Sequence, residues 1–330
     1  MLNVAIIGFG IGEMHLKGYS LHKSCRVTKV CDFDQDKLSY CRSKYPDIET
    51  TTDSDSIFSD VSIDIVSIAS YDSYHFEQIC AALKSGKHVF VEKPFCLFEW
   101  QAIEIRKLLC ANSRLQISSN LVLRTTPRFV KLKQKITDGH FGKIYYIEGD
   151  YNYGRLHKIH DGWRSKEDFY SIIYGGGIHL LDLMMWLNDD PPVEVCGFSN
   201  RILSDGTNFA FNDFNQSLIK LKSGVVLKLG SNFGCVYPHF HKLAVYGEKM
   251  TFENSINGGM WFENRDLPIY DYDGYPSDQK HDMILSFVDS ILNPLVKPLV
   301  SADEMFKVMS VAFACEKAAS SNKNILIEYL

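Results

Sequence analysis

The stretch Val4-Ala5-Ile6-Ile7-Gly8-Phe9-Gly10-Ile11-Gly12 constrains this chain more than any other. An apolar run ends in a glycine-rich turn and passes straight into helix-forming sequence. The segments behind it keep the same alternation. Strands are expected at Leu2–Ile7, 26–31, 64–69, His88–Val91 and 115–118. Helices are expected at 13–22, 34–45, 73–84 and 98–111, with Pro46 stopping the second and Gly86 ending the third in the C′ region. Strands alternating with helices imply crossover connections and a parallel sheet covered on both faces. That is a doubly wound Rossmann sheet, with its binding crevice at the carboxyl ends of the strands.

The second half carries a different pattern. Extended runs at 143–153, 193–198, Phe214–Leu221, 225–233 and 242–246 follow one another with short connections, and Lys222-Ser223-Gly224 reads as a hairpin turn. Helices are expected at 177–187, 281–292 and 302–320, and a last strand at 325–329. The pattern predicts an α+β domain with a large, mostly antiparallel open sheet. We place the domain boundary where the pattern changes: a dinucleotide-binding domain over 1–120 and a substrate-binding and oligomerisation domain over 121–330. The last helix and strand are expected to pack back near the first domain.

Composition narrows the class of protein. Of 330 residues 45% are apolar and 23% charged, enough for a large core and too apolar for a disordered chain. The formal charge is 35 − 40 = −5, which disfavours a nucleic-acid partner. No apolar run reaches the roughly 20 residues of a membrane span. The N-terminus enters a strand directly, without a leader pattern, so a cytoplasmic protein with no membrane partner is expected. The nine cysteines are odd in number and widely spaced with no Cys-x-x-Cys pair, which fits reduced core thiols rather than a metal site. His157-x-x-His160 and His239-x-His241 have no carboxylate at a motif distance, and no metal is expected there either.

The glycine turn suits a dinucleotide. Gly8 permits the tight turn, and Gly10 lets the backbone approach a pyrophosphate held by the helix N-terminus. Phe9, Ile11 and Gly12 complete the candidate loop. Glu13 stands where the fingerprint has its third small residue, so its side chain must point out of the helix–strand contact. Asp32, 24 residues past Gly8, ends the second strand, where a carboxylate accepts hydrogen bonds from a ribose 2′-OH. A 2′-phosphate about 5 Å from it would meet about 3 kcal/mol of repulsion per unit charge at an effective dielectric near 20. Phe33 and Asp34 follow with no arginine to compensate, so NAD is the expected cofactor and NADP the less favoured one.

Residues 81–94, Ala-Ala-Leu-Lys-Ser-Gly-Lys-His-Val-Phe-Val-Glu-Lys-Pro, resemble the signature of the Gfo/Idh/MocA oxidoreductases. The resemblance extends over nearly the whole chain. Ser70 to His75 resembles the loop after strand four, with Tyr71-Asp72 in place of a Pro-Asn-like pair. Asn120, Arg124 and Pro127 resemble the crossover, and Trp163-Arg164 the pair beside the nicotinamide. The resemblance implies an NAD(P)-dependent dehydrogenase of sugars, inositols or nucleotide sugars, working as a homodimer or homotetramer. It implies cofactor contacts at Ser70, Tyr71, His75, Glu92, Lys93, Asn120, Trp163 and Arg164. Lys93, at the carboxyl end of a central strand with Pro94 restricting its backbone, is the candidate proton-transfer residue.

His179 is its candidate partner. Gly175-Gly176-Gly177-Ile178-His179-Leu180-Leu181-Asp182 opens a helix on which His179 and Asp182 share a face. The family reads Asp-x-Gly-x-His-x-x-Asp here, so Gly175 stands where its first Asp would be. Tyr151, Tyr153 and Tyr174 are the neighbouring groups that could compensate. Lys93, Tyr151, Tyr153, Arg155, Trp163, His179 and Asp182 form the candidate substrate set, since aromatic faces stack on sugar C–H surfaces and arginine binds hydroxyls or phosphates. Two rival readings keep the fold: NAD-assisted hydrolysis or elimination of a sugar, and a non-catalytic NAD- and sugar-binding regulator.

Overall fold

The computed structural model describes residues 1–272, 274–276 and 281–330. It forms two compact units. The first holds residues 1–121, the described part of 279–306, and Leu330; the second holds the described part of 122–278 and residues 307–329.

In the first unit β1 (Leu2–Ile7), α1 (Gly12–Ser20), β2 (Cys25–Cys31), α2 (Gln35–Lys44), β3 (Glu49–Thr51) and α3 (Asp55–Phe58) run to one side. The chain then returns for β4 (Ile65–Ile68), α4 (His75–Lys84), β5 (His88–Val91), α5 (Glu99–Ala111) and β6 (Ile117–Ser119). Among the described residues these strands make one sheet, ordered β3-β2-β1-β4-β5-β6 and parallel throughout. Its apolar runs have no polar alternation because both faces are covered: Val4, Ile6, Val30, Val66, Val89 and Phe90 expose nothing. The order reverses between β1 and β4, which opens the crevice at their carboxyl ends. α4 stops as expected. Gly86 adopts φ +75°, Lys87 N–H donates to the Ala82 carbonyl, and Gly86 N–H donates to that of Leu83. β3 and α3 are short and half-exposed, and carry no period from which to foresee them.

The second unit comprises α6 (Pro127–Thr137), β7 (Ile144–Asn152), α7 (His157–His160), α8 (Ile178–Leu187), β8 (Pro192–Asn200), β9 (Phe214–Leu221), β10 (Val226–Asn232), β11 (Phe240–Gly247), β12 (Thr251–Ser255), β13 (Gly258–Phe262), β14 (Ile269–Asp271) and β15 (Ile325–Leu326). Its sheet runs β14-β13-β12-β11-β7-β10-β9-β8-β15. Among the described residues β7 and β10 pair in parallel and every other pair is antiparallel. The expected fold class is thus observed: a parallel Rossmann sheet and a mostly antiparallel open one. α6 was not foreseen, although Pro127 at its first turn is a start signal. The expected last strand shortens to two paired residues.

Register decides where the chemistry of this unit lies. On the covered face Val245, Ile147, Leu227 and Ile219 form one row across β11, β7, β10 and β9. Leu243, Gly149, Leu229 and Ser217 form the next, where Gly149 lets Leu180 of α8 approach to 3.4 Å of a Cβ placed there. The third row reads His241, Tyr151, Ser231 and Asn215. The sheet changes from an apolar floor to a polar one in two residue steps along each strand.

Among the described residues no helix is long and apolar enough to cross a membrane. Arg124 and Asp182 of the second unit form a buried ion pair, 3% and 0% exposed, joined at 2.6 Å (Nη2–Oδ1) and 2.9 Å (Nε–Oδ2). Removing one partner would leave a buried charge uncompensated. We expect Arg124→Met to cost about 3–5 kcal/mol, read as a lower urea midpoint for the second unit. A midpoint equal to that of the parent would show the pair to be dispensable.

Candidate active site

Gly8 holds φ +88°, and a Cβ there would fall on the Ala69 carbonyl just past β4, so only glycine fits. A Cβ on Gly10 would meet nothing within 4 Å, so open space lies over this turn. Gly12, rather than residue 13, makes the close helix–strand contact: a Cβ there would stand 2.8 Å from Ile6 Cγ2. Glu13 points outward to Lys44 Nζ (2.8 Å), Tyr45 Oη (2.9 Å) and Tyr40 Oη (3.2 Å). Phe9 donates its N–H to Asp32 Oδ2 at 2.7 Å and buries its ring against Tyr40 and Tyr45. It therefore serves the loop through its backbone.

Asp32 is almost buried and also accepts the Asp34 N–H at 2.9 Å. Lys37 Nζ stands 3.4 Å from its Oδ2. No arginine stands immediately behind the strand, as expected, but one turn into α2 a lysine reaches back to this carboxylate. Phe33, 68% exposed, pairs with the Tyr71 ring at 5.9 Å, which gives the crevice an aromatic flank that we did not anticipate.

At the end of β5, Glu92 Oε1 accepts from Asn120 Nδ2 at 2.6 Å and lies 3.1 Å from His15 Nε2, whose Nδ1 is 2.9 Å from Ser67 Oγ. Burial pushes the Glu92 carboxyl up. Its hydrogen bond and electrostatic contact with His15, the charge of Lys93 and the Asn120 amide outweigh burial and hold it at about 2. An ionised Glu92 therefore neighbours Lys93, which is half-buried. His15 thereby connects α1 to the acidic end of β5.

His75, assigned to the cofactor, is fully buried, with Nδ1 2.7 Å from the Pro94 carbonyl oxygen and Nε2 3.2 Å from that of Ser70. The ring ties together the loops after β4 and β5. Ser70 Oγ donates to Gln78 at 2.7 Å. A cofactor fits this edge: a left-handed turn, an open Gly10, the N-terminus of α1 and a carboxylate just past β2 suit a pyrophosphate and a ribose.

The second unit gathers its own cluster around the polar row. Tyr151 stacks on Tyr153 (6.1 Å, 13° between planes), and Arg155 lies 5.6 Å over the Tyr153 ring. His239 Nε2 is 3.1 Å from Tyr151 Oη, and His241 Nδ1 is 2.9 Å from Tyr275 Oη. The His179 and His241 rings meet edge-on at 6.0 Å. His239, just before β11, and His241, within it, both lie against the Tyr151 ring at 5.3 Å. Trp163 carries Arg164 at 4.6 Å, and Arg164 Nε donates to Tyr170 Oη at 2.9 Å. Burial, then the nearby Tyr170 and Tyr153, push the Tyr151 phenol up despite Arg164 and Arg155, so it stays protonated and is no base. Tyr174 is buried between Phe169 and Phe313. Asp182 was expected to face substrate; its carboxylate is engaged by Arg124 instead.

The open space at Gly10 generates a test. Gly10→Val should fold with an unchanged melting curve and lose NAD binding by at least tenfold in a fluorescence titration. Unchanged affinity would remove this turn from the cofactor site.

Comparison with known proteins accords with these features. Residues 2–120 match the profile described as the oxidoreductase family, NAD-binding Rossmann fold. Residues 129–253 match that of the GFO/IDH/MocA C-terminal domain. An inositol 2-dehydrogenase/D-chiro-inositol 3-dehydrogenase of Lactiplantibacillus plantarum is 28% identical over 255 residues, 76% of this chain and 70% of that one. An uncharacterized oxidoreductase of Schizosaccharomyces pombe is 32% identical over 155 residues, 46% of this chain and 42% of its own. The crystal structure of scyllo-inositol dehydrogenase from Lactobacillus casei, with NAD(H) and scyllo-inositol bound, superposes with a TM-score of 0.79 over 99% of both chains at 19% identity, a likeness of fold. With both halves matched, and the glycine turn and the Glu92-Lys93-Pro94 strand end in place, the chain belongs to the Gfo/Idh/MocA family of oxidoreductases.

Proposed function

We propose that this protein is an NAD-dependent dehydrogenase acting on a secondary alcohol of an inositol or sugar. The observation that carries the reading is the company kept along one edge of the first sheet. A dinucleotide cradle lies at β1, and an amine beside an ionised carboxylate lies at the end of β5, two strands away. The names of two relatives, an inositol dehydrogenase and a D-glucoside 3-dehydrogenase, support a polyol or sugar rather than an aldehyde or amino acid.

Bound NAD would supply the hydride acceptor. The carbinol C–H and O–H bonds break, a C=O bond forms, and the hydroxyl proton leaves to the protein. We assign that proton to Lys93 and His179, the first in the role of general base. Glu92 stays ionised and balances charge beside the amine. Asp32 holds the ribose of the cofactor, and the loop from Gly8 to Gly12 its pyrophosphate. Tyr151 and Tyr153 offer faces to the C–H surface of the ring, and Arg155 binds its hydroxyls. We assign Trp163 to the nicotinamide side of the site, with Arg164.

NAD rather than NADP follows from Asp32, whose repulsion of a 2′-phosphate Lys37 reduces. We therefore expect NAD to be preferred by about tenfold in kcat/KM; preference for NADP would refute the assignment. The reading itself is tested by titrating NAD, then assaying inositols, D-glucosides and free sugars at the NADH absorbance. Turnover should appear with one class. Lys93→Met should lower it by roughly 10² to 10⁴ with NAD binding retained. NAD binding without turnover on any of these compounds would overturn the dehydrogenase reading, and undiminished turnover in the variant would remove Lys93 from it.

A further inference from the structure

A cavity of about 160 Å³ lies within the second unit, and none of the residues assigned above to NAD, to proton transfer or to the substrate ring lines it. Its walls are the segment 169–172, the 210–212 turn, Ser199 of β8, Asn215 of β9 and Glu316 of the last helix, Ala302–Ser321. Tyr170, which takes the space a Gly175 side chain would need, is one of them. An apolar cavity of about this size takes one benzene, so there is room for a single six-membered ring. Ala210 is exposed, and Phe169, Phe211 and Asn212 are half-buried, so the cavity meets solvent on that side.

Glu316 is the informative wall. Ser171 Oγ accepts the N–H groups of Ile173 at 3.2 Å and Tyr174 at 3.4 Å, so its own proton goes to Glu316 Oε2, at 2.5 Å. That hydroxyl fixes one oxygen of the carboxylate as an acceptor. Among the described residues no hydrogen bond reaches Oε1, and no lysine or arginine pairs with this carboxylate. Arg201 is exposed and directs Nη1 to the Ala210 carbonyl at 3.4 Å instead. Burial pushes the Glu316 carboxyl up, and the Ser171 hydroxyl pulls it back only in part. A carboxylate drawn from water with one hydrogen bond and no counter-charge is costly, and a ligand that brings the charge relieves it. The other walls suit the same ligand. Phe169 and Phe211 set their rings at 69° with centroids 6.0 Å apart, and aromatic faces attract cations. The Asn212 amide, which makes no hydrogen bond among the described residues, supplies an acceptor for a further N–H. A neutral polyol would leave the charge unanswered, and an anion would be repelled.

We propose that this cavity is a second ligand site, built for a compact organic ammonium no larger than one six-membered ring. The ammonium pairs with Glu316 and donates to the Asn212 amide, while its carbon frame lies against Phe169 and Phe211. Ser171 is the positioning residue: it holds Oε2 and leaves Oε1 for the ligand. The site stands independently of the dehydrogenase reading above, and either can fail without the other.

The test is calorimetric titration of the full-length protein at neutral pH with cyclohexylammonium chloride, and with cyclohexanol as the uncharged molecule of the same shape. The ammonium should saturate one site per chain, and cyclohexanol should bind about tenfold more weakly or worse. Glu316→Gln keeps an acceptor for Ser171, so its melting curve should match wild type while affinity for the ammonium falls by about tenfold or more and that for cyclohexanol stays. Ala210→Trp changes an exposed wall position that packing does not need, and it should weaken both ligands by obstructing the cavity. Equal affinity of the wild type for the two compounds would overturn the ammonium assignment, as would ammonium binding that a folded Glu316→Gln retains in full. Ammonium binding untouched by Ala210→Trp, or no saturable binding of the ammonium at all, would overturn the site.

Discussion

One hydrogen bond organises the nucleotide end of the first unit. The Phe9 N–H donates to Asp32, so the turn after β1 and the end of β2 are a single object. That bond holds the loop at a height where Gly10 stays open, and it orients the carboxylate that would meet a ribose. Gly8 can take its left-handed conformation against Ala69 because the loop is pinned on the far side. Substitution of Asp32 would therefore release the loop.

Glycine plays a second and different part in the other unit. There the issue is volume rather than backbone freedom. Gly149 admits Leu180, and the three glycines before α8 admit Tyr170, Tyr151 and Ser231. Helix and sheet approach closely at one end and receive polar groups at the other. Buried polar atoms are mostly partnered, and here, among the described residues, Ser231 Oγ is an exception. Arg164 answers Tyr170, His239 answers Tyr151, and Arg124 answers Asp182.

Much of this was legible in the residues because local signals agree with the global fold. The β1 turn, the Gly86 stop and the strand alternation each carry a local mechanism, and the parallel sheet follows from them. What escaped was fixed by tertiary register. Nothing near Tyr170 in sequence marks it as reaching residue 175. Lys37 reaches Asp32 only once α2 is built from its Asp34 cap. Asp182 read as a site carboxylate because helical spacing sets it beside His179, while its partner Arg124 lies 58 residues upstream. Strands β12 to β14 pair beyond β11 across a run of polar and aromatic residues with weak alternation, and showed no clear period.

The polar row across β11, β7, β10 and β9 has a consequence for how such a protein diversifies. His241, Tyr151, Ser231 and Asn215 come one from each strand, and the backbone pairing that aligns them is independent of which side chain each carries. The polar row thus consists of four separately addressable positions beside an apolar floor. Because strand pairing uses the backbone, a lineage can revise this row one strand at a time while the register of the sheet is kept.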